Sequence, residues 1–384
     1  MENLTLDDYR LLLALQEEPL ASYKALAAEL QISPPTAKRR LEQLILAIDP
    51  DAPEGEGTIV SADLNLQALE MQIVDIFLNL DTHQNLVDIE RLISEYPYAA
   101  YRVRHFGPTR GLYIQVRQPY SAREILLELL NLLKKAAMVE SFSIPQLIGA
   151  PVRNLPKLAA WQPNSLTWDF DWRFWEEALE SSSDAPYGLN SADEGKSYLH
   201  RVQTIDIGIL TMLTENARQT QAYMLERLPK VMSQHSDVQD IAPRTFSRHV
   251  QFVRDHLVTS YRVHLDWRAF DINQAILFEG VAARNFVGRL YNHLATSNFP
   301  FASIFRLTSE NSFTWYIRTS PAHFSKAIDF LWKNCSDLQI HFLDYASSFM
   351  YYFWPKTWNP ETRTWKVSRN FLITEPLERA KIQI

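Results

Sequence analysis

The sequence predicts an α+β protein of 384 residues in which two winged helix-turn-helix units are each followed by a βαββαβ unit. Three observations predict it. Helices with proline-bearing starts occur at Ser33–Pro34, where Ser33 is the cap, and again at Ala242–Pro243. Each is followed by the same order of alternating and helix-periodic segments. Around the two starts residues line up one for one: Ile32 with Ile241, Pro34 with Pro243, Thr36 with Thr245, Arg39 with Arg248, Leu41 with Val250 and Leu44 with Val253.

In the first half, Leu6, Tyr9, Leu12, Leu13 and Leu15 mark an amphipathic helix, with Asp7 and Asp8 at its positive end. Pro19 stops it, and Ser22 caps a second helix whose Leu26, Ala27 and Leu30 face inward. The third runs from Pro34 to about Ile45. Asp49–Gly57 reads as a polar turn and Thr58–Leu64 as a wing strand. A βαββαβ order follows: a strand within Leu66–Leu80, a helix over Asn85–Glu95, strands at Ala99–Phe106 and Leu112–Arg117, a helix from Ser121 to Lys135, and a strand at Val139–Ile148. Helices then cover one sheet face and leave the other apolar and open, so such units pair face to face.

Residues 151–198 break the pattern with prolines, a serine-rich acidic run (Glu180–Asp184) and an aromatic block, Trp161, Trp168, Phe170, Trp172, Phe174 and Trp175. They read as a connector whose aromatics clamp a neighbouring domain. The order then restarts: helices at Ile205–Glu215, Thr220–Gln234 and from Ala242, a wing at Val258–Leu265, and a second βαββαβ order between Ile272 and Tyr345, with Arg318 in register with Arg117. The expected division is 1–64, 65–150, 151–198, 199–268, 269–349 and an aromatic, then charged, extension at 350–384. That extension reads as packing on the second sheet or as a surface for a protein partner.

Composition bounds the function. At 46% hydrophobic and 12% aromatic the chain can bury real cores. Its one cysteine, Cys335, forms no intrachain disulfide, and no Cys/His cluster has zinc spacing, so neither metal nor cofactor is expected. The N-terminus lacks a basic, apolar leader and no apolar run is long enough to span a bilayer, which points to a cytoplasmic protein with no membrane partner. A net charge of −7 argues against a broad nucleic-acid coat but allows positive charge concentrated on one helix.

The run Ser22–Tyr23–Lys24–Ala25–Leu26–Ala27, then Leu30 and Ile32–Ser33–Pro34–Pro35–Thr36–Ala37–Lys38–Arg39–Arg40–Leu41, resembles the Lrp/AsnC family of prokaryotic regulators. The resemblance implies sequence-specific binding to double-stranded DNA, transcriptional control, and pairing through the βαββαβ units, which are RAM-like. Members are single-copy and self-associate, whereas this chain carries the order twice, implying a fused pseudo-dimer that a further homodimerisation would double. Members that sense amino acids have a Gly-x-x-Asp turn; here Gly107–Pro108–Thr109–Arg110–Gly111 stands in the first unit, making Gly107, Arg110 and Gly111 the effector candidates, and Thr308–Ser309–Glu310–Asn311 in the second.

A recognition helix presents its N-terminal half to the major groove. In the first unit that half offers Pro35, Thr36, Lys38 and Arg39, with Arg40 placed for phosphate or a flanking base; in the second it offers Arg244, Thr245, Ser247, Arg248 and His249. Arginine reads guanine bidentately and threonine touches a thymine methyl. The resulting expectation is a regulator without enzymatic activity. Two alternatives stand beside it: a scaffold whose helix-turn-helix units no longer bind DNA, and an enzyme like the sirohaem decarboxylases, which resemble AsnC-type regulators and work as paired subunits. The enzyme would line a tetrapyrrole-sized cleft with groups such as Arg104, His105, Arg117 and Arg318.

Overall fold

The structure is a computed structural model and describes residues 5–48, 59–182, 196–233, 238 and 241–383. The expected turn Asp49–Gly57 and the last two residues of Glu180–Asp184 lie outside them. Three helices open the chain: α1 (Leu6–Glu17), α2 (Tyr23–Leu30) and α3 (Pro34–Ile48). Thr5 and Asp8 cap α1 reciprocally, and Ser22 caps α2 through the Ala25 amide. Leu11, Leu12, Leu15, Leu26, Leu41 and Leu44 meet at the centre, as their helical spacing predicts.

Strand β1 (Val60–Leu64) leads to β2 (Met71–Asn79), α4 (His83–Glu95), β3 (Ala99–Phe106), β4 (Gly111–Pro119), α5 (Arg123–Lys135), the short β5 (Ser141–Ser143) and β6 (Ile148–Asn154). Next come a small hairpin, β7 (Trp161–Gln162) and β8 (Thr167–Trp168), and α6 (Trp172–Glu180). The second half holds α7 (Thr204–Glu215), α8 (Gln221–Val231), α9 (Pro243–Phe252), β9 (Val258–Val263), β10 (Gln274–Ala282), α10 (Arg284–Thr296), β11 (Ala302–Leu307), β12 (Ser312–Thr319), α11 (Pro321–Asn334) and β13 (Cys335–Met350). A second hairpin, β14 (Trp358–Asn359) and β15 (Thr364–Trp365), and α12 (Glu375–Arg379) close it.

Nine strands form one sheet in the order β5-β2-β4-β3-β13-β10-β12-β11-β6. Within it β5-β2-β4-β3 and β13-β10-β12-β11 each have the arrangement of a βαββαβ unit. The join is made by β13, which pairs with β10 as far as Leu343 and with β3 from Phe342 to Met350, across an irregularity between Asp344 and Phe349. The other end works similarly: β5 pairs with β2, the chain bends through residues 144–147, and β6 pairs with β11. The expected single strand Val139–Ile148 is thus two strands on different neighbours. The sheet curls round an interior, across which Arg306 of β11 meets Asp75 of β2 and His341 of β13 meets Phe77 of β2, with β5 and β6 as the two ends of its order.

The two sheet faces follow the period-two alternation. Leu112, Ile114 and Val116 of β4 face the helices, beside Ile89, Leu92, Leu126, Leu129 and Leu133. Phe77, Val103, Tyr113, Ala275, Leu277 and Leu343 face the interior as a separate cluster, with Tyr101 and Tyr316 against it. At ~1.5–3 kcal/mol for each large side chain buried, this inner cluster is a major term joining the halves.

The segments expected as wings differ from that expectation: β1 and β9 pair with each other, with Ser61 opposite Arg262 and Ala62 opposite Tyr261. A lone wing strand would leave its amides and carbonyls on an edge; pairing across the halves satisfies both. The two hairpins make matching exchanges. Trp168 Nε1 donates to the Phe270 carbonyl and Trp365 Nε1 to the Leu69 carbonyl, each at 2.7 Å, so each hairpin anchors on the turn before the other half's sheet. Most of the connector aromatics are core, with Trp172 and Trp175 packed tilted or edge-on against Phe299 and Phe330, while Phe174 is exposed. In the extension Phe353, Trp358 and Trp365 are buried while Tyr352 is exposed.

Candidate active site inside the closed sheet

Odd positions of β4 point into the interior: Tyr113, Gln115 and Arg117, opposite Phe77, Asp75 and Ile73 of β2. At one end of that interior, arginines arrive from three further elements. Arg306 of β11 bonds Asp75 of β2 at 3.1 Å, both almost fully buried. The same carboxylate accepts from Tyr113 Oη at 2.6 Å and from Gln115 Nε2 at 2.9 Å. Arg262 of β9 meets Asp63 of β1 at 3.2 Å. Arg117 has Arg262 and Asp63 as its charged neighbours, and Arg153 of β6 has Arg306, Asp63, Arg262 and Asp75. Four guanidiniums therefore share two carboxylates.

Electrostatics records the imbalance. Desolvation, then the nearby Arg262, pushes Arg117 down to about 10. Desolvation and Arg306 likewise lower Arg153, although its surface is exposed. In Arg306 burial opposes the charge, but Asp75 and Tyr113 outweigh it and raise its pKa. His264, whose Nε2 lies 2.5 Å from Ser61 Oγ, is pushed down to about 4 by burial and by Arg262, so it is neutral at pH 7. Positive charge in excess, at a low-dielectric surface that solvent reaches through Arg153 and Arg262, suits a ligand bearing several carboxylates.

The position matching Arg117 in the second half is Arg318, opposite Ala275 as Arg117 is opposite Ile73. Its surroundings differ. Arg318 lies 4.0 Å under the Tyr345 ring, with Tyr101 and Tyr316 beside it. Aromatic rings fill this end, and carboxylates and arginines line the other.

Of the other groups offered for a tetrapyrrole cleft, Arg104 is on the outer face, bidentate to Glu90 of α4 at 2.8 and 2.9 Å. His105 faces inward but is fully buried, with Nε2 3.2 Å from the Leu78 carbonyl oxygen and its ring 5.5 Å from that of His341. Burial, then His341, pushes it down to about 4. Gly107 and Gly111 serve the backbone: their positive φ values are accompanied by close approaches, where an added Cβ would meet the Ile340 and Leu78 carbonyls at 2.4 and 2.1 Å. Arg110 donates to the Asp81 carbonyl oxygen. Arg153, Arg262, Arg306, Asp63 and Asp75 come from separate strands, and sequence reasoning reached Asp63 and Arg262 only as parts of the expected wings Thr58–Leu64 and Val258–Leu265.

On the N-terminal helix-turn-helix Pro35, Lys38 and Arg39 are exposed and Thr36 half-buried, and on α9 of the second three-helix unit Arg244, Ser247 and Arg248 are exposed and Thr245 half-buried. Thr36 caps with Ser33, and Lys38 pairs with Glu42 one turn on at 3.6 Å. Arg40 and His249 look inward instead. Arg40 binds Asp8 and Asp7 of α1 at 3.1 and 3.0 Å, and His249 Nδ1 lies 2.7 Å from the buried Asp206 of α7. These matched contacts tie each third helix to its first. Both units are also fixed to the body: Tyr9 Oη donates to the carbonyls of Leu158 and Trp161, α7 is buried from Thr204 to Thr214, and Arg218 donates to the Pro19 and Ala21 carbonyls across the units.

Among the described residues no helix is long and apolar enough to cross a membrane. Residues 4–45 match the AsnC-type helix-turn-helix domain family. No curated protein matches the sequence. Two solved structures share its fold. One is the siroheme decarboxylase NirDL in co-complex with an iron-uroporphyrin III analogue, with a TM-score of 0.51 at 11% identity over 88% of this chain and 90% of that one. The other is the siroheme decarboxylase NirDL, again with a TM-score of 0.51, at 9% identity over 97% and 98%. The expectation of a chain without enzymatic activity is overturned here, because the same fold, across nearly the whole of both chains, is that of an enzyme.

Proposed function

We propose that this chain is a fused pseudo-dimer of two AsnC-like units whose closed sheet binds a polycarboxylated iron tetrapyrrole and removes carboxyl groups from it. The observation that carries the reading is the group Arg117, Arg153, Arg262 and Arg306, balanced among the described residues by Asp63 and Asp75. The shared fold with siroheme decarboxylase NirDL supports it. Arginine forks hold carboxylates bidentately, so Arg117, Arg153 and Arg262 anchor the side chains that are kept while Arg306, tied to Asp75, holds the wall. Loss of CO2 breaks the bond between carboxylate and methylene carbon and leaves an electron pair there, which must take a proton. His264 and Tyr113, each protonated on one atom at pH 7, are the proton-bearing groups on this surface. The test is anaerobic titration with siroheme followed by absorbance, with mass analysis of the tetrapyrrole. A stoichiometric spectral change and loss of CO2 are expected, with Arg117→Ala weakening binding about 10- to 100-fold. Siroheme left unbound by the folded protein excludes the reading.

A second activity is favoured by the AsnC-type match and by the exposed Lys38, Arg39, Arg244 and Arg248: salt-sensitive binding of double-stranded DNA through α3 and α9. Mobility shifts at two salt concentrations test it. Arg39→Ala and Arg248→Ala should each weaken binding; indifference to both removes DNA from the account and leaves the helix-turn-helix units as structural lobes.

A further inference from the structure

A cavity of about 420 Å³ lies beside the second recognition helix, away from the closed sheet. Its lining joins three parts of the chain distant in sequence: Arg201 and Gln203 before α7, Arg248, His249 and Phe252 on α9, and Arg363 from the hairpin of the C-terminal extension. Asp206 is the one carboxylate among the lining residues, and it is already engaged by the Gln203 amide at 2.8 Å and by His249 Nδ1 at 2.7 Å. The three guanidiniums thus face one cavity without a free carboxylate in its wall. Phe252 fixes one of them, with Arg201 Cζ 4.9 Å from its ring. Arg363 is held there by the turn between β14 and β15, at φ 51°, a conformation that L side chains seldom adopt.

We infer that this cavity is a binding site for a phosphate-type oxyanion, gripped by Arg201, Arg248 and Arg363. Three convergent guanidiniums offer more donors than one carboxylate uses, and their geometry matches tetrahedral and planar oxyanions. The site does not depend on the proposed catalytic reading. Its oxyanion is the phosphate of a free small molecule or of a DNA backbone seated beside α9, and the experiment separates them.

The probe is inorganic phosphate, compared with chloride at matched ionic strength, on the full chain by thermal shift and calorimetry. The variant is Arg363→Asn, which removes the cation and keeps a residue that tolerates positive φ. Phosphate should stabilise the wild type beyond chloride, and Arg363→Asn should lose about tenfold in phosphate affinity while keeping the wild-type melting temperature in chloride. A mixed-sequence DNA duplex is the second arm. If phosphate competes with the duplex and Arg363→Asn weakens both, the site takes the DNA backbone; if duplex binding is unchanged, it takes a free phosphate-bearing ligand. Phosphate that stabilises no more than chloride, or an unchanged affinity in Arg363→Asn, overturns the inference.

Discussion

Asp75 shows how much one side chain carries. It accepts from Arg306, Tyr113 and Gln115 at once, so Asp75→Ala leaves a buried guanidinium without its counter-charge. Breaking such a pair costs ~3–5 kcal/mol, and urea unfolding should show a loss of that size. Arg306→Met in the Asp75→Ala background should recover part of it, since two apolar groups are tolerated better than one orphaned charge. His105 and His264 set the acid limit. Each has a folded pKa of about 4, below the ordinary histidine value near 6.5, so the unfolded chain takes up the proton first. Stability from these groups is complete above about pH 6.5, declines as pH falls towards 4, and changes no further below it. For the fully buried His105 the loss is about 3 kcal/mol. Denaturation midpoints at pH 7, 5 and 4 measure it, and His105→Phe should flatten the profile. Arg117 and Arg318 were legible as an aligned pair, because strand register can be counted along a sequence. Asp75 and Arg306 were not, because nothing local says that β2 and β11 face each other across an interior.

At the scale of elements, the two hairpins decide how the halves grip. Trp365→Phe removes the donor to the Leu69 carbonyl and should cost ~1–3 kcal/mol; Trp168→Phe should cost a similar amount at Phe270. A much larger or negligible loss, measured by chemical denaturation, would mean that these bonds are not the anchors described. A written signal for them was present. Trp161–Gln162–Pro163 with Thr167–Trp168 recurs as Trp358–Asn359–Pro360 with Thr364–Trp365, at the same internal spacing. Reading residues 151–198 as a connector hid that recurrence, because prolines and serines look like linker punctuation. The main helices were legible through caps and apolar period: Thr5, Ser22 and Thr220 each cap where the pattern starts. The paired β1 and β9 were legible as strands but not as partners, since alternation gives a strand its faces and not its neighbour.

At the scale of the whole molecule, the closed sheet makes the halves interdependent and unequal. One end of the interior is arginine-rich at Arg117, while the other is filled by Tyr345, Tyr101 and Tyr316 around Arg318. Two equivalent ligand sites are therefore not expected from one chain, and the tetrapyrrole stoichiometry should be one. Arg318→Ala should disturb stability more than ligand affinity, and Arg117→Ala the reverse. The most direct test of the central claim is titration of the purified protein with siroheme, wild type beside Arg117→Ala. The account predicts a saturable absorbance change at one tetrapyrrole per chain, weakened about 10- to 100-fold by the substitution; no absorbance change, or an affinity indifferent to Arg117, contradicts it.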